Sequence, residues 1–262
     1  MISKASHTNL EEKYYDSKIK DNTPNDSSYQ NLSDQLMNNA HRYFEEKVLD
    51  FINDHSEGGI ILDYGCGIGE KSSEYFTSLW KIIGIDISSK SIEIANQNKS
   101  KNAKYMVINC ENMDLTDNSF DLIFDYGTFS SLDMKKAFPE ILRVLKPTGS
   151  LIAIETLGHN PFANIKRRIS VILGKRTKWA HEHIMKMTDW NYFKRYFETF
   201  EIKYFGLIIL FINPLVKIMP NKYHQLIINY FQTVDDKLLH YDLFKKWAFK
   251  TVVVLKNPSN II

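Results

Sequence analysis

Apolar residues between positions 32 and 52 recur at spacings of three and four, with Leu32, Leu36, Ala40, Phe44, Val48, Leu49 and Ile52 on one stripe. That is the spacing of a helix with one buried face. Further along the period changes. Short apolar runs, "IILDYG" (60–65), "KIIGID" (81–86), "AKYMVIN" (103–109), "FDLIFDYG" (120–127) and "SLIAIET" (150–156), alternate with helical stretches that begin near residues 70 and 89 and cover 134–145. Alternation of this kind predicts right-handed βαβ units and a doubly wound, mostly parallel α/β sheet. Ligands in such a sheet sit at the carboxyl ends of the strands.

After residue 156 the alternation loosens. Residues 160–187 read as an irregular, partly helical insertion, and Thr188 is placed to cap a helix over "DWNYFKRYF". "FETFEIKYF" and "WAFKTVVVLKN" read as the last strands. The stretch between them, 207–248, is too long for a hairpin loop and predicts a helical excursion. Residues 1–28 are rich in Asp, Asn, Ser and Lys and read as a mobile arm, with Tyr14 and Tyr15 able to order it against a ligand. The organisation expected is that arm followed by a single domain over 29–262, with substrate-side helical insertions at about 157–187 and 207–248.

Composition narrows the function classes. The chain of 262 residues is long enough to bury one substantial core. Its 33 Lys+Arg against 31 Asp+Glu give no electrostatic reason to expect nucleic acid as the main partner. Two cysteines, Cys66 and Cys110, make neither a metal cluster nor a disulfide framework, and no metal is expected. The first residues contain no apolar signal core, so a cytoplasmic protein is expected. The segment "YFGLIILFI" (204–212) reaches about half of the ~20 residues of a spanning helix; it reads as core, as a greasy lid or as a peripheral membrane contact.

Three motifs carry chemistry. In "ILDYGCGIGEKS" (61–72), Asp63 ends an apolar strand and Gly65, Gly67 and Gly69 form GxGxG, one residue short of the dinucleotide fingerprint GxGxxG. Glycines there permit φ > 0 and close approach of a ligand, although a lone GxGxG fits a plain tight turn equally well. Asp86 closes the next strand, where a carboxylate can accept from two ribose hydroxyls or cap the helix near Ser88. Asn109, Cys110 and Glu111 form a short polar connection suited to an adenine edge, and the following strand ends at Asp125-Tyr126-Gly127.

With "GIDIS", "NSFDLIFDYGTFSSL" and "EILRVLKPTGSLIAIE", these motifs resemble the class I S-adenosylmethionine-dependent methyltransferases, especially the small-molecule group of ubiquinone and menaquinone biosynthesis, over roughly residues 40–157. The resemblance implies a Rossmann-like, seven-stranded sheet. It implies that Asp63, Gly65, Cys66, Gly67 and Gly69 surround the methionine end of S-adenosylmethionine and that Asp86 holds the ribose. Ile87 would pack on the adenine, Asn109, Cys110 and Glu111 would meet its edge, and Asp125 and Tyr126 would lie beside the sulfonium. Two departures stand out: Asn109 replaces an Asp common among relatives, and Phe129-Ser130-Ser131 replaces a "LHH" sequence, which removes any base at that position.

The reaction so implied is in-line methyl transfer to a small lipophilic or aromatic acceptor, at oxygen. Candidate bases follow the fifth strand: Glu155, His159 and His183, each of which has a structural alternative, as has His181 in "HEH". The basic residues Lys166, Arg167, Arg168, Lys175, Arg176 and Lys178 could neutralise an anionic substrate group or simply face water. A catalytically silent cofactor-binding scaffold is the competing class. A nucleic-acid or protein methyltransferase is the third, disfavoured because "DYGT" stands where amino-methylating nucleic-acid enzymes carry an Asn/Asp-Pro-Pro-aromatic sequence.

Overall fold

The structure, a computed structural model, describes residues 6–19 and 35–259. Strands β1 (Gly59–Tyr64), β2 (Trp80–Asp86), β3 (Ala103–Val107), β4 (Phe120–Asp125), β5 (Leu145–Thr156), β6 (Phe197–Phe205) and β7 (Lys250–Pro258) form one sheet in the order β3-β2-β1-β4-β5-β7-β6. The first five pair in parallel, and β7 runs antiparallel to both β5 and β6. This is the expected doubly wound, mostly parallel seven-stranded sheet. Its order reverses beside β1, so the crevice at the carboxyl ends of β1 and β4 is the topological switch point where open α/β sheets bind ligands.

The strands read as nearly continuous apolar runs because both faces of the sheet are covered. On one face Ile61, Ile82, Leu122, Phe124, Ile152 and Val252 pack against α2 (Asn38–Asp54) through Ala40, Phe44, Val48 and Phe51. On the other, their neighbours Leu62, Ile123, Leu151 and Val253 pack against Ala137, Phe138, Ile141 and Val144. Those four belong to α5 (Met134–Val144), and the crossover helices α3 (Glu70–Tyr75) and α4 (Ser89–Gln97) precede it. Alternation at period two therefore divides each strand between two cores.

Several expectations shift. Leu49, assigned to the buried stripe of the leading helix, is 44% exposed, and Phe51 takes the inward place; Leu32 lies outside the described residues. The insertion after β5 contains α6 (Pro161–Ile172), α7 (Lys178–Glu182) and α8 (Met187–Phe193). Thr188 does not cap α8: the helix starts two residues earlier than expected, with Lys186 at the cap position, and Asp189 Oδ2 accepts the Lys186 N–H at 2.7 Å. The excursion between β6 and β7 is helical, with α9 (Asn213–Ile218), α10 (His224–Leu238) and α11 (Asp242–Lys245). It docks by burying Ile209, Ile212, Val216 and Ile228 with Leu36 and Met37. Buried Asp235 pins it by accepting the N–H groups of Leu207, Ile208 and Ile209.

The largest difference is at the N-terminus. Within the segment read as a mobile arm, residues 7–18 form helix α1 (His7–Lys18), capped by Ser6 and fastened to the body of the domain. The polar composition that suggested disorder supplies the hydrogen bonds of that docking. Residues 1–5 and 20–28 of the expected arm lie outside the described residues.

Candidate active site

A cavity of about 220 Å³ opens at the switch point. Its floor is the turn after β1. Gly65, Gly67 and Gly69 all have positive φ, and of the three a Cβ at Gly67 would meet nothing within 4 Å. Gly67 lines the cavity, so its missing side chain leaves room for a ligand against the backbone. Gly65 lines the cavity too, but its lack of a side chain also serves packing: a Cβ there would fall 2.1 Å from the Thr128 hydroxyl.

Asp86 joins the two ends of this floor. Its Oδ2 accepts the Gly67 N–H at 2.9 Å and its Oδ1 accepts the Ser88 N–H at 2.8 Å. Ser88, not Asp86, caps α4 by accepting from Ser91 N–H. Burial pushes the Asp86 carboxyl up, opposed by those backbone donors. Behind it Asp63 is buried with Oδ2 lacking any hydrogen bond, and its carboxyl is pushed up to about 7, first by burial and then by Asp86, against Ser72. Cys66 turns its thiol into the apolar layer near Gly84, and burial raises it far above its ordinary value. Asp63, Cys66 and Gly69 thus support the floor without lining it.

The wall opposite carries Ile87, Asn109, Cys110 and Glu111. Asn109 Oδ1 accepts the Glu111 N–H at 2.9 Å, and the Cys110 carbonyl accepts from the Tyr64 hydroxyl at 3.0 Å. Glu111 is spoken for elsewhere. Its Oε1 accepts from His7 Nε2 (2.6 Å) and from the Asp133 N–H (2.7 Å).

Helix α1 closes the cavity, contributing His7, Thr8, Glu11 and Tyr15. Tyr15 and Ser131 share a hydrogen bond of 2.8 Å, and Asp16 accepts from the Ser88 hydroxyl at 2.6 Å. Glu11 is buried with neither carboxylate oxygen in a hydrogen bond, and desolvation pushes its carboxyl up. Of these residues only Tyr15 was singled out in the sequence, as one of two tyrosines able to order the arm against a ligand; His7, Thr8, Glu11 and Asp16 carried no signal in that polar stretch.

The turn after β4 completes the cavity with Tyr126, Gly127 and Thr128. The Tyr126 hydroxyl meets His41 Nδ1 at 3.1 Å, while His41 Nε2 meets Lys250 Nζ at 2.7 Å. An ammonium only donates, so His41 Nε2 accepts and the ring proton sits on Nδ1, directed at the tyrosine oxygen. Burial, then Lys250, holds His41 neutral with its pKa lowered to about 4.

Asp125 and Glu155 lie behind this turn, fully buried. Asp125 accepts the N–H groups of Gly127 and Thr128, and Glu155 accepts those of Phe129 and Thr156. Burial pushes both carboxyls up, Glu155 to about 7 and Asp125 well above its ordinary range because Glu155 adds repulsion. They shape the loop and do not line the cavity. His159 is exposed and its Nε2 accepts the Met187 N–H at 3.1 Å. His183 stacks on Trp179 at 3.6 Å, and His7 stacks on the other face at 3.8 Å, so His183 braces the start of α1. All three expected bases therefore stand away from the cavity.

A second cavity of about 350 Å³ lies beside the end of β5, lined by Thr156, Met37, Phe162 and Phe211 among others. Arg176 belongs to its wall and donates to Ser130 Oγ at 3.2 Å, next to Ser131 of the first cavity. The Arg176–Ser130 contact thus links the walls of two cavities that lie at the ends of neighbouring strands β4 and β5.

The match to known proteins agrees with this geometry. Residues 62–153 match the methyltransferase domain family. A demethylmenaquinone methyltransferase of Lactococcus lactis is 30% identical over 138 residues, 50% of this chain and 54% of that protein. The chloroplastic 2-phytyl-1,4-beta-naphthoquinone methyltransferase of Arabidopsis thaliana is 31% identical over 137 residues, 48% of this chain and 52% of the relative. The chain spans about half the length of the curated relatives it matches. In fold it is similar to geranyl diphosphate C-methyltransferase of Streptomyces coelicolor, with a TM-score of 0.57 at 12% identity over 97% of this chain and 99% of that one. Over residues 62–153 the chain thus matches a methyltransferase domain, and it resembles the demethylmenaquinone and phytyl-naphthoquinone methyltransferases over about half of its length.

Proposed function

We propose that the protein transfers a methyl group from S-adenosylmethionine to a small lipophilic or aromatic acceptor, holding the cofactor in the first cavity and the acceptor in the second. The observation that carries this reading is the arrangement of Gly67, Asp86 and the 109–111 connection around one cavity at the switch point. The residues fit the cofactor. Each Asp86 oxygen retains a lone pair for a ribose hydroxyl, while the buried Asp63 carboxyl stays behind the floor and does not line the cavity. Ile87 offers an apolar face to the adenine, and Asn109 retains one carbonyl lone pair for the exocyclic amine.

Bound there, S-adenosylmethionine supplies a methyl carbon that an acceptor lone pair takes in an in-line displacement, the sulfur keeping the C–S electron pair and the acceptor's proton passing to water. The chain's part is positioning. Orientation accounts for ~7–11 kcal/mol of such a barrier, whereas a placed base adds ~10²–10⁴-fold. Because Glu155, His159 and His183 line neither cavity, we assign the acceptor atom as oxygen, from a phenol or similar group that loses its proton without a strong base. Helix α1 excludes water from the cofactor side through Tyr15 and Asp16.

Calorimetric titration with S-adenosylhomocysteine, followed by transfer from ¹³C-methyl-labelled cofactor to naphthohydroquinones, tests the reading. The methyl shift in the labelled product separates transfer to oxygen from transfer to carbon. Binding without transfer to any lipophilic acceptor would support the scaffold, and transfer to RNA or protein would support the third class. Exposed Ile165, Ile169, Ile172, Ile218 and Leu226 around α6, α9 and α10 favour peripheral contact with a membrane that stores such acceptors; vesicle flotation checks it.

A further inference from the structure

The second cavity is apolar over most of its wall, yet two arginines stand in it. Arg167 is 6% exposed. Its Nη1 donates to the Leu157 carbonyl (3.1 Å) and Asn164 Oδ1 (2.8 Å), and its guanidinium lies 5.0 Å from the Phe249 ring centroid. Its Nη2 is buried with no hydrogen bond. Arg176 uses Nη2 on Ser130 and on the Ala180 carbonyl, while its buried Nε also lacks a partner. No carboxylate lines the cavity, and among the described residues neither arginine takes part in an ion pair; Glu155 and Glu11 act on Arg176 only from outside the wall. Lys166 stands exposed on the same wall, and Ser170 adds a hydroxyl.

Buried cationic donors without an anion are costly, and a ligand that brings one removes the cost. Burial and the charge of Arg176 already depress Arg167 to about 10. Around the arginines the wall is Leu36, Met37, Ala163, Leu210 and Phe249, with the Phe162–Phe211 ring pair bordering solvent.

We infer that the second cavity is a binding site for an amphiphile with an oxyanion head, carboxylate or phosphate, held by Arg167 and Arg176, and an apolar body lying against Met37, Phe162, Phe211 and Phe249. The inference rests on the methyl-transfer reading only in calling this amphiphile the acceptor. Charge-assisted bonds draw electron density from the oxygens they hold, so the head is a handle and the methyl group goes to another atom of the same molecule.

Calorimetry with octyl phosphate, octanoate and 1-octanol on the full chain tests it. The expected result is that at least one anion binds about ten- to a hundredfold tighter than the alcohol, the range of a charge-assisted hydrogen bond. The tighter of the two identifies the head. Arg167→Gln and Arg176→Gln should bring the anions down to the affinity of 1-octanol while leaving the alcohol unchanged; if Arg167→Gln does not fold, Arg176→Gln decides. Equal binding of anions and alcohol by the unaltered chain, or an anion preference that survives substitution, would overturn the site. Titration with S-adenosylhomocysteine in the same samples keeps the two readings apart. Cofactor binding without anion preference overturns this inference alone, and anion preference without cofactor binding overturns methyl transfer alone.

Discussion

The backbone N–H of Gly67 donates to Asp86 Oδ2 across 2.9 Å, so one carboxylate both sets the glycine turn after β1 and faces the cavity at the end of β2. Replacing Asp86 by Ala removes an acceptor for two backbone donors and the proposed ribose contact. The affinity for S-adenosylhomocysteine should fall about tenfold or more, since each charge-assisted bond contributes roughly 1.5–3 kcal/mol. Asp86→Asn, which keeps one carbonyl acceptor, should lose less. Calorimetry reads both, and unchanged affinity in the Ala variant would refute the ribose assignment.

Gly65 and Gly67 should respond differently to the same substitution. A Cβ at Gly67 enters open space, so Gly67→Ala should cost about 1–2 kcal/mol of backbone strain and abolish cofactor binding by filling the cradle. Gly65→Ala meets Thr128 and should lower the melting temperature further. Thermal melts paired with cofactor titration check the contrast. Tight binding by a well-folded Gly67→Ala protein would show that the turn holds no ligand.

Helix α1 should control cofactor exchange. Tyr15→Phe removes one hydrogen bond between α1 and the body and Asp16→Ala removes two, each worth about 0.5–1.5 kcal/mol. Dissociation of S-adenosylhomocysteine should quicken about two- to tenfold for each bond removed, measured by stopped-flow fluorescence. Identical dissociation rates would mean that α1 does not close over the bound cofactor.

Glu155 makes stability depend on pH. Its folded-state value of about 7 lies above its ordinary 4.5, so its contribution is complete below about pH 4.5 and is lost as the pH rises towards 7. Glu155→Gln retains a carbonyl for the Phe129 N–H and removes that loss. Denaturant titrations should therefore show the variant gaining on the unaltered chain between pH 4.5 and 7, with Asp125 leaving a residual slope. A constant difference across that range would refute the coupling.

His159→Ala and His183→Ala should keep turnover within about twofold of the unaltered chain, because a lost base would cost ~10²–10⁴-fold. The His183 variant should instead loosen α1, since it removes one face of the stack on Trp179. A hundredfold drop in kcat for either, with cofactor affinity intact, would return that histidine to the chemistry.

Pattern and motif alone determined the sheet, its parallel core and the cavity-lining residues Gly65, Gly67, Asp86, Ile87, Asn109, Cys110, Glu111 and Tyr126. Strand periodicity, turn glycines and strand-end acids are local properties, and the fold carries each of them to the switch point by short connections. Roles that depend on which way a side chain turns were not legible. Asp125 and Glu155 read as site residues because they end strands, but the pleat turns them inward to hold a loop. Helix α1 read as a mobile arm because its docking consists of polar contacts to residues 72 to 161 positions away, such as Asp16 to Ser88, His7 to Glu111 and Tyr14 to Lys175. The two arginines of the second cavity read from sequence as neutralising an anionic substrate group or as facing water, and only packing against β5 and the late helices buries their unpartnered Nη2 and Nε. Local chemistry chose the cofactor side; long-range burial, which no local pattern encodes, decided what closes it and what lies beyond.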